Sequence, residues 1–178
     1  ILIEGCKFSN NKCISRPSNL INLNENFEAE KEIIIKDCIF ENNTSDSDNV
    51  SIIRMYSNFE RGNIRPIKFV IQDCLFRNNT LYGNTTEGTT NPGCLIQCSY
   101  LEEILLIRNI FTNNIVKDGS VYRITSNQEK NGIKIIDCQV TGNQVKEVIC
   151  YSDNYSILLY GDNTFKNNKV KHSAINTL

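Results

Sequence analysis

Hydrophobic positions along the chain recur in short runs that are separated by polar, asparagine-rich segments. The stretch IIIKDCIFENN at residues 33–43 returns as FVIQDCLFRNN at residues 69–79. In both copies an apolar run leads into Asp, Cys, an apolar residue and Phe, and a pair of Asn follows after one further residue. Short apolar runs bounded by Asn and Asp are typical of β-strands that end in turns.

Six copies of this motif align along the chain. They are IEGCKFSNN (3–11), IKDCIFENN (35–43), IQDCLFRNN (71–79), LIRNIFTNN (106–114), IIDCQVTGN (135–143) and YGDNTFKNN (160–168). The spacing between successive Phe or Val positions is 32, 36, 35, 29 and 25 residues, which indicates loops of variable length on a constant cross-section. One apolar run precedes each motif and another follows it, as in VSIIRM (50–55) and GCLIQC (93–98). Each period is therefore predicted to carry three short strands.

Repeats of this length without helical periodicity predict an all-β parallel β-helix of about six coils, because each unit stacks on its neighbours in register. Leucine-rich and tetratricopeptide repeats need a helical pattern in each unit, and propeller blades need four antiparallel strands. The start, ILIEGCKF, reads as the middle of a repeat. We therefore expect residues 1–178 to be a single segment of a longer solenoid, which associates end to end when it is expressed alone.

Stacking places equivalent residues of successive coils in columns. We predict three ladders inside the solenoid. The apolar ladder is Phe8, Phe40, Phe76, Phe111, Val140 and Phe165; the polar ladder is Asn11, Asn43, Asn79, Asn114, Asn143 and Asn168; and the thiol ladder is Cys6, Cys38, Cys74 and Cys138, with Asn109 and Asn163 at the equivalent positions. We expect each ladder Asn to close its turn in the left-handed conformation, which Asn tolerates. The thiols are expected to be free and buried, because stacked Cβ atoms lie too far apart for a disulfide.

The element C-x-F-x-x-N, followed by a strand such as GSVY or GCLI, resembles a known repeat. It is similar to the repeat of right-handed parallel β-helices of the pectate-lyase-like superfamily, in particular the polymorphic outer-membrane-protein type. The resemblance covers nearly the whole chain and implies a right-handed coil. Its motifs are shared by adhesins, enzymes and structural proteins. Of the paired glycines in that repeat, this chain keeps Gly93 and Gly119.

Composition supports a folded β-protein. The chain has 40% hydrophobic and 22% charged residues, with 26 Asn and 25 Ile, which are turn formers and strand formers respectively. The net charge of −1 comes from 19 basic and 20 acidic residues spread along the chain. Nucleic acid is therefore not an expected partner, because no basic block is present to neutralise phosphates. No apolar run is long enough to cross a bilayer.

Two further columns are candidates for chemistry. The residue before the thiol ladder gives the metal or sugar candidates Asp37, Asp73, Asp137 and Asp162, in pairs one coil apart. The alternative is that each Asp starts a turn, with Arg108 relieving charge repulsion in mid-column. The second column, which either binds an anionic glycan or is simply solvated, is Asn22, Arg54, Gln97, Arg123, Cys150 and Asn176.

Other side chains add little chemistry. Pairing among Cys13, Cys94, Cys98 and Cys150 is left open by the sequence, and their spacing does not suit a zinc site. No cofactor motif is visible. Sequons place candidate glycosylation sites at Asn49, Asn84 and Asn154.

The sequence favours a non-catalytic, extracellular or cell-surface segment with a structural or adhesive role. The alternative is a carbohydrate-active enzyme, of the polysaccharide lyase or hydrolase kind, with a groove on the β-helix face. Expected partners are further coils of the same longer chain or subunits of an assembly, and glycans or proteins at the loops.

Overall fold

A computed structural model describes residues 1–14, 19–25, 31–46, 50–57, 67–82, 93–99, 101, 103–125, 132–151, 156–172 and 175–177. Over these ranges the chain is all β and contains no helix. Most strands coincide with the Ile-rich and Val-rich runs of the sequence, and the Asn and Asp residues of the repeated motif lie between strands. The predicted all-β class is therefore confirmed.

Each sequence repeat contributes strands in the same order. In chain order the strands are β1 (Leu2–Glu4), β2 (Lys7–Ser9), β3 (Lys12–Cys13), β4 (Asn19–Glu25), β5 (Lys31–Lys36), β6 (Ile39–Glu41), β7 (Thr44–Ser45), β8 (Ser51–Ser57), β9 (Ile67–Gln72), β10 (Leu75–Arg77), β11 (Thr80–Tyr82), β12 (Cys94–Ser99), β13 (Glu103–Ile107), β14 (Ile110–Thr112), β15 (Ile115–Thr125), β16 (Gly132–Ile136), β17 (Gln139–Thr141), β18 (Gln144–Tyr151), β19 (Ser156–Tyr160), β20 (Thr164–Lys166), β21 (Lys169–Val170) and β22 (Ile175–Thr177).

The strands form three parallel sheets. The first has the order β1-β5-β9-β13-β16-β19, and the second has the order β2-β6-β10-β14-β17-β20. The third sheet contains ten strands on the path β3-β7-β11-β15-β12-β8-β4, with β18 joining β15 to β21 and β22. Every pairing joins equivalent positions of neighbouring repeats, as in Phe40 with Phe76 and Phe76 with Phe111. This architecture is a parallel β-solenoid.

One strand of each repeat was missed by the sequence analysis. A short strand follows each Asn pair as β3, β7, β11 and β21, and in the fourth and fifth repeats it is continuous with the next strand, giving the long β15 and β18. A segment such as Lys12–Cys13 is too short to show any alternation of apolar and polar residues. Its strand conformation therefore depends on pairing with the neighbouring repeat.

The core lies between the three sheets. Side chains alternate along each strand, so Ile33 and Ile35 point inward and are fully buried, while Ile34 between them faces outward and is partly exposed. Phe40, Phe76 and Phe111 are also fully buried, and consecutive rings of this ladder stack with centroids 4.7 Å and 4.5 Å apart. Close packing of like side chains from repeat to repeat gives the solenoid one continuous core.

The first and last repeats bury the same columns less completely. Phe8 is half-buried, although its ring stacks on Phe40 at 4.9 Å. Phe165 is 36% exposed, and Leu159, which continues the column of Ile35, is 47% exposed. Each of these residues has a neighbouring repeat on one side only among the described residues, which accounts for the exposure.

Candidate functional site

Two sharp corners in each repeat define the cross-section, and the second corner is formed by the Asn pair. The first member of the pair has a left-handed backbone. These residues, with φ between 54° and 67°, are Asn10, Asn42, Asn78, Asn113, Gly142 and Asn167. Asn and Gly adopt this conformation at the lowest steric cost, which explains their use here. The second member of the pair is the ladder Asn.

The ladder Asn residues bond to both neighbouring repeats. The Nδ2 atom of Asn79 donates to the Phe40 carbonyl at 2.9 Å and to Asn114 Oδ1 at 2.9 Å. Its Oδ1 atom accepts from the backbone N and the Nδ2 of Asn43, both at 3.0 Å. Asn79 is fully buried. All the polar atoms of its amide are therefore engaged inside the core, as buried polar groups require.

The structure corrects the backbone assignment at this corner. The left-handed conformation was predicted for the ladder Asn itself, whereas positive φ occurs at the residue before it. The reason is geometric, since the left-handed residue turns the chain from the second sheet into the third with its side chain on the outside, and the next residue then points its amide into the core.

The first corner follows the same plan. Its left-handed residues, with φ between 50° and 69°, are Gly5, Asp37, Asp73, Arg108, Asp137 and Gly161. The thiol ladder then occupies the place of the inward Asn. The Cys74 thiol lies 3.6 Å from the Ile35 carbonyl, and in the next repeat Asn109 Nδ2 donates to the equivalent Ile71 carbonyl at 2.7 Å. Cys and Asn are thus alternative donors to one column of carbonyl oxygens.

Burial controls the chemistry of these thiols. Cys38, Cys74 and Cys138 are buried, and desolvation raises the pKa of Cys74 to about 12. Desolvation also raises the pKa values of Cys38 and Cys138. Cys6, in the first repeat, is exposed rather than buried as expected. None of the described cysteines forms a disulfide, including Cys13, Cys94 and Cys98.

The Asp candidates lie on the outside of the first corner. Arg108 binds Asp73 through both carboxylate oxygens, at 2.7 Å and 2.8 Å, and this pairing lowers the pKa of Asp73. Asp37 is exposed, and Asp137 Oδ1 accepts a hydrogen bond from the backbone N of Asp162 at 2.8 Å. Within the described residues, no group of three or more His, Cys, Asp or Glu is arranged to hold a metal ion.

Asp162 does not occupy the predicted place in this column. Ile136 pairs with Tyr160, so Gly161 is the residue in register with Asp137. Gln139 then pairs with Thr164, which makes Asp162 part of a corner that is longer by one residue. Glycine is favoured at position 161 because its φ is 69°, and a Cβ atom there would also displace the Asp137 carboxylate, whose Oδ1 would lie 1.9 Å away.

Ion pairs run from repeat to repeat on the outer faces. Glu41 lies between Lys7, at 2.6 Å, and Arg77, at 2.5 Å, and these two partners lower its pKa. On the first sheet the pairs are Glu4 with Lys36, Glu32 with Lys68, and Glu103 with Lys134, at 2.7 to 2.9 Å. Opposite charges on neighbouring strands stabilise the pairing, both where they are directly in register, as in Glu4 with Lys36, and where they are offset by two residues, as in Glu103 with Lys134.

The predicted arginine column is less accessible than expected. Arg54, Gln97 and Arg123 are in register, but Gln97 is 7% exposed and Arg123 is 4% exposed. The solvated interpretation is therefore wrong for these two residues. The side chains of Cys150 and Asn176 and the sequon residues Asn49, Asn84 and Asn154 lie outside the described part of the structure.

A groove of about 360 Å³ lies on the third sheet. Its lining residues are Tyr82, Ile115, Val116, Lys117, Asp118, Gln144, Val145, Lys169 and Lys171. The equivalent columns Ile115–Gln144–Lys169 and Val116–Val145 form its base. Lys171 forms an ion pair with Asp118 across the intervening repeat.

A β-bulge shapes this groove. Val116 pairs with Val145 and Ser120 with Glu147, so residues 117–119 of β15 lie opposite Lys146 alone. Asp118 has φ 58°, which turns it out of the sheet. Gly119 packs against Gly93 of the previous repeat so closely that a Cβ atom would lie 1.9 Å from the Gly93 carbonyl oxygen. This groove was not predicted from the sequence, although the additional Asp-Gly in the fourth repeat was a signal for it.

The chain matches no protein-family model, no curated protein and no solved structure. The class of protein is therefore defined by its architecture, a parallel β-solenoid. In the part of the chain that the structure describes, no helix has the length and apolar character needed to span a membrane.

Proposed function

We propose that the chain is a rigid, non-catalytic segment of an extracellular or cell-surface protein with a structural or adhesive role. We further propose that its six repeats are six coils of a right-handed β-helix of the pectate-lyase-like type. One observation carries the functional proposal: the repeated polar side chains bond to neighbouring repeats. The Asn ladder is the main case, with Asn43, Asn79, Asn114 and Asn143 each bonded to the next Asn.

The state of the carboxylates supports a non-catalytic role. A glycosidase needs a general acid whose pKa is raised, so that it is protonated near neutral pH. Asp73 and Glu41 have lowered pKa values, because each carboxylate is held by cationic side chains of neighbouring repeats. Such ion pairs hold neighbouring repeats together.

Incubation with polygalacturonate and other acidic glycans, followed by product analysis, tests the proposal. We expect intact polymer with the wild-type chain. Cleavage that disappears in Asp73→Ala would overturn the proposal and favour a carbohydrate-active enzyme. An experimental density map tests the hand and the number of coils.

We also propose that the exposed interior columns contact further coils of the same kind, from a longer chain or from another subunit. Phe165 and Leu159 are 36% and 47% exposed, whereas equivalent residues in central repeats are 0–1% exposed. Sedimentation of the 178-residue polypeptide should show association that increases with concentration and is weaker in Phe165→Glu. A monodisperse monomer at high concentration would contradict this.

A further inference from the structure

We propose that the groove on the third sheet binds a sulfate or phosphate ester carried on a sugar ring. This inference deepens the proposed adhesive role and rests on it for the saccharide part of the ligand. The groove combines an apolar base, an aromatic side chain and several lysines in one place. Small-molecule sites usually have this composition, an apolar lining with a few convergent polar groups.

The lysines give the groove a positive charge. Lys117 and Lys169 are exposed, and within the described residues neither has an acidic partner. Asp118 is the acidic residue of the lining and is engaged by Lys171. Three lysines and one aspartate leave a formal charge of +2, which attracts an anion.

This positive charge contrasts with the outer faces of the other sheets. Lys36, Lys68 and Lys134 are each matched by a glutamate of a neighbouring repeat. Pairing of this kind is therefore the usual state of an outward lysine on the first sheet. Unpaired lysines gathered around a cavity depart from that pattern and indicate a ligand.

Tyr82 supplies a surface for a ring. Its side chain is 44% exposed, and its backbone is in register with Lys117 on the adjacent strand. Ile115 gives the groove a partly exposed apolar side chain on the same face, whereas the side chains of Val116 and Val145 are buried in the core beneath the floor of the groove. An aromatic ring with a polar tip accommodates a ligand that has one apolar face and several hydroxyl groups, as a sugar has.

The type of cation selects the type of anion. Arginine is the residue that matches a planar carboxylate with two parallel hydrogen bonds, and the lining of this groove contains lysine and no arginine. A lysine ammonium acts as a point charge with three donors, which suits the tetrahedral oxygens of a sulfate or phosphate. The Gln144 amide, whose backbone is in register with Lys169, adds a neutral donor to the lining.

The site is held by strands and not by long loops. Its base consists of paired residues of β15, β18 and β21, and the bulge that carries Asp118 is anchored by the contact of Gly119 with Gly93. The Asp118–Lys171 ion pair holds the rim. Sites built on regular elements need little reorganisation when a ligand binds.

Four probes that differ only at carbon 6 test the ligand class: glucose 6-sulfate, glucose 6-phosphate, glucuronate and glucose. Titration of the ¹⁵N-labelled chain, followed through the amides of residues 115–118 and 144–145, gives each Kd. We expect one or both esters to bind roughly tenfold more tightly than glucuronate, and binding to weaken as salt is added. The two ester arms distinguish a sulfated from a phosphorylated source. Equal affinity for glucuronate, or no binding of either ester, would overturn the proposal.

Variants locate the site. Lys117→Ala with Lys169→Ala should weaken ester binding roughly tenfold or more, whereas Lys68→Ala with Lys134→Ala removes the same charge from the first sheet and should leave it unchanged. Tyr82→Phe should keep affinity and Tyr82→Ala should lose it. If both double variants lose the same amount of ester affinity, the affinity depends only on the net charge of the chain, and the proposed site is wrong. If neither ester binds and no polymer is cleaved, the proposed non-catalytic role stands and the ligand site is wrong. If an ester binds and polymer is cleaved, the ligand site stands and the non-catalytic role is wrong.

Discussion

Asn78 and Asn79 are neighbours with identical side chains, and they occupy opposite environments at one corner. Asn78 has φ 54° and is exposed, whereas Asn79 is fully buried and bonded to Asn43 and Asn114. The first residue provides the turn, and the second provides the hydrogen bonds that join three repeats. The pair recurs because both requirements recur, and Asn meets each of them for a different physical reason.

Replacing Asn79 by alanine should be strongly destabilising. The change leaves the Phe40 carbonyl and the Nδ2 and backbone N of Asn43 without their buried partners. A buried polar group left unsatisfied costs about 1–3 kcal/mol, so we expect the free energy of unfolding to fall by about 3 kcal/mol. Urea denaturation followed by circular dichroism measures this change.

Asn78→Gly is the matched control. Glycine adopts positive φ without strain, and the Asn78 side chain is on the surface, so we expect a change within about 0.5 kcal/mol. If Asn78→Gly is as damaging as Asn79→Ala, the division of roles within the pair is incorrect.

The repeated motif was sufficient to predict the strands and columns of the fold, because period and polarity are local properties. Which Asn of each pair has positive φ was not predictable, because two identical residues give no signal that distinguishes them. The place of Asp162 was missed because a one-residue insertion in a weak repeat shifts the alignment without changing the pattern. The groove was missed because it depends on a bulge in β15, and a single Asp-Gly in one repeat does not identify a bulge until the residues of neighbouring repeats are paired.

The Asp73–Arg108 pair should make stability depend on pH. Arg108 lowers the pKa of Asp73 in the folded state. The ion pair therefore stabilises the fold above the unfolded pKa of Asp73, about 3.9, and this stabilisation is lost as the pH falls through the folded pKa. We expect Arg108→Met to be less stable than wild type near pH 7, with the difference shrinking below about pH 4. Urea midpoints measured across this range test the sign.

Arg108→Lys is the control for this prediction. It keeps the positive charge and loses the two-point contact, so its pH dependence should lie between those of wild type and Arg108→Met. A difference between wild type and Arg108→Met that stays constant from neutral to acid pH would contradict the assigned coupling.

The thiol ladder should be protected from alkylation. The Cys74 pKa of about 12 leaves on the order of one thiol in 10,000 ionised at pH 8, and its side chain is 1% exposed. We expect iodoacetamide to modify the exposed Cys6 rapidly and to reach Cys74 and Cys138 only when urea unfolds the chain. Peptide mapping by mass spectrometry distinguishes the sites, and Cys6→Ser should remove the rapid reaction. Modification of native Cys74 at the rate of Cys6 would be inconsistent with the buried ladder.

Gly119→Ala and Gly93→Ala test the contact that shapes the groove. A Cβ at Gly119 would lie 1.9 Å from the Gly93 carbonyl oxygen and 2.8 Å from Val116 Cγ1, whereas a Cβ at Gly93 would lie 3.3 Å from the nearest atom, Val50 Cγ1. A backbone oxygen in a sheet cannot move aside as a side chain can, so Gly119→Ala should separate β12 from β15, breaking the hydrogen bond from Ser120 N to Gly93 O. We expect Gly119→Ala to cost about 3 kcal/mol in unfolding free energy and Gly93→Ala about 1 kcal/mol or less.

The same separation of β12 from β15 displaces Lys117 and Asp118, so Gly119→Ala should also weaken binding of glucose 6-sulfate, while Gly93→Ala should retain it. Urea denaturation and amide titration of both variants check the two effects, and equal stability of the two variants would show that β12 and β15 are not packed at this distance.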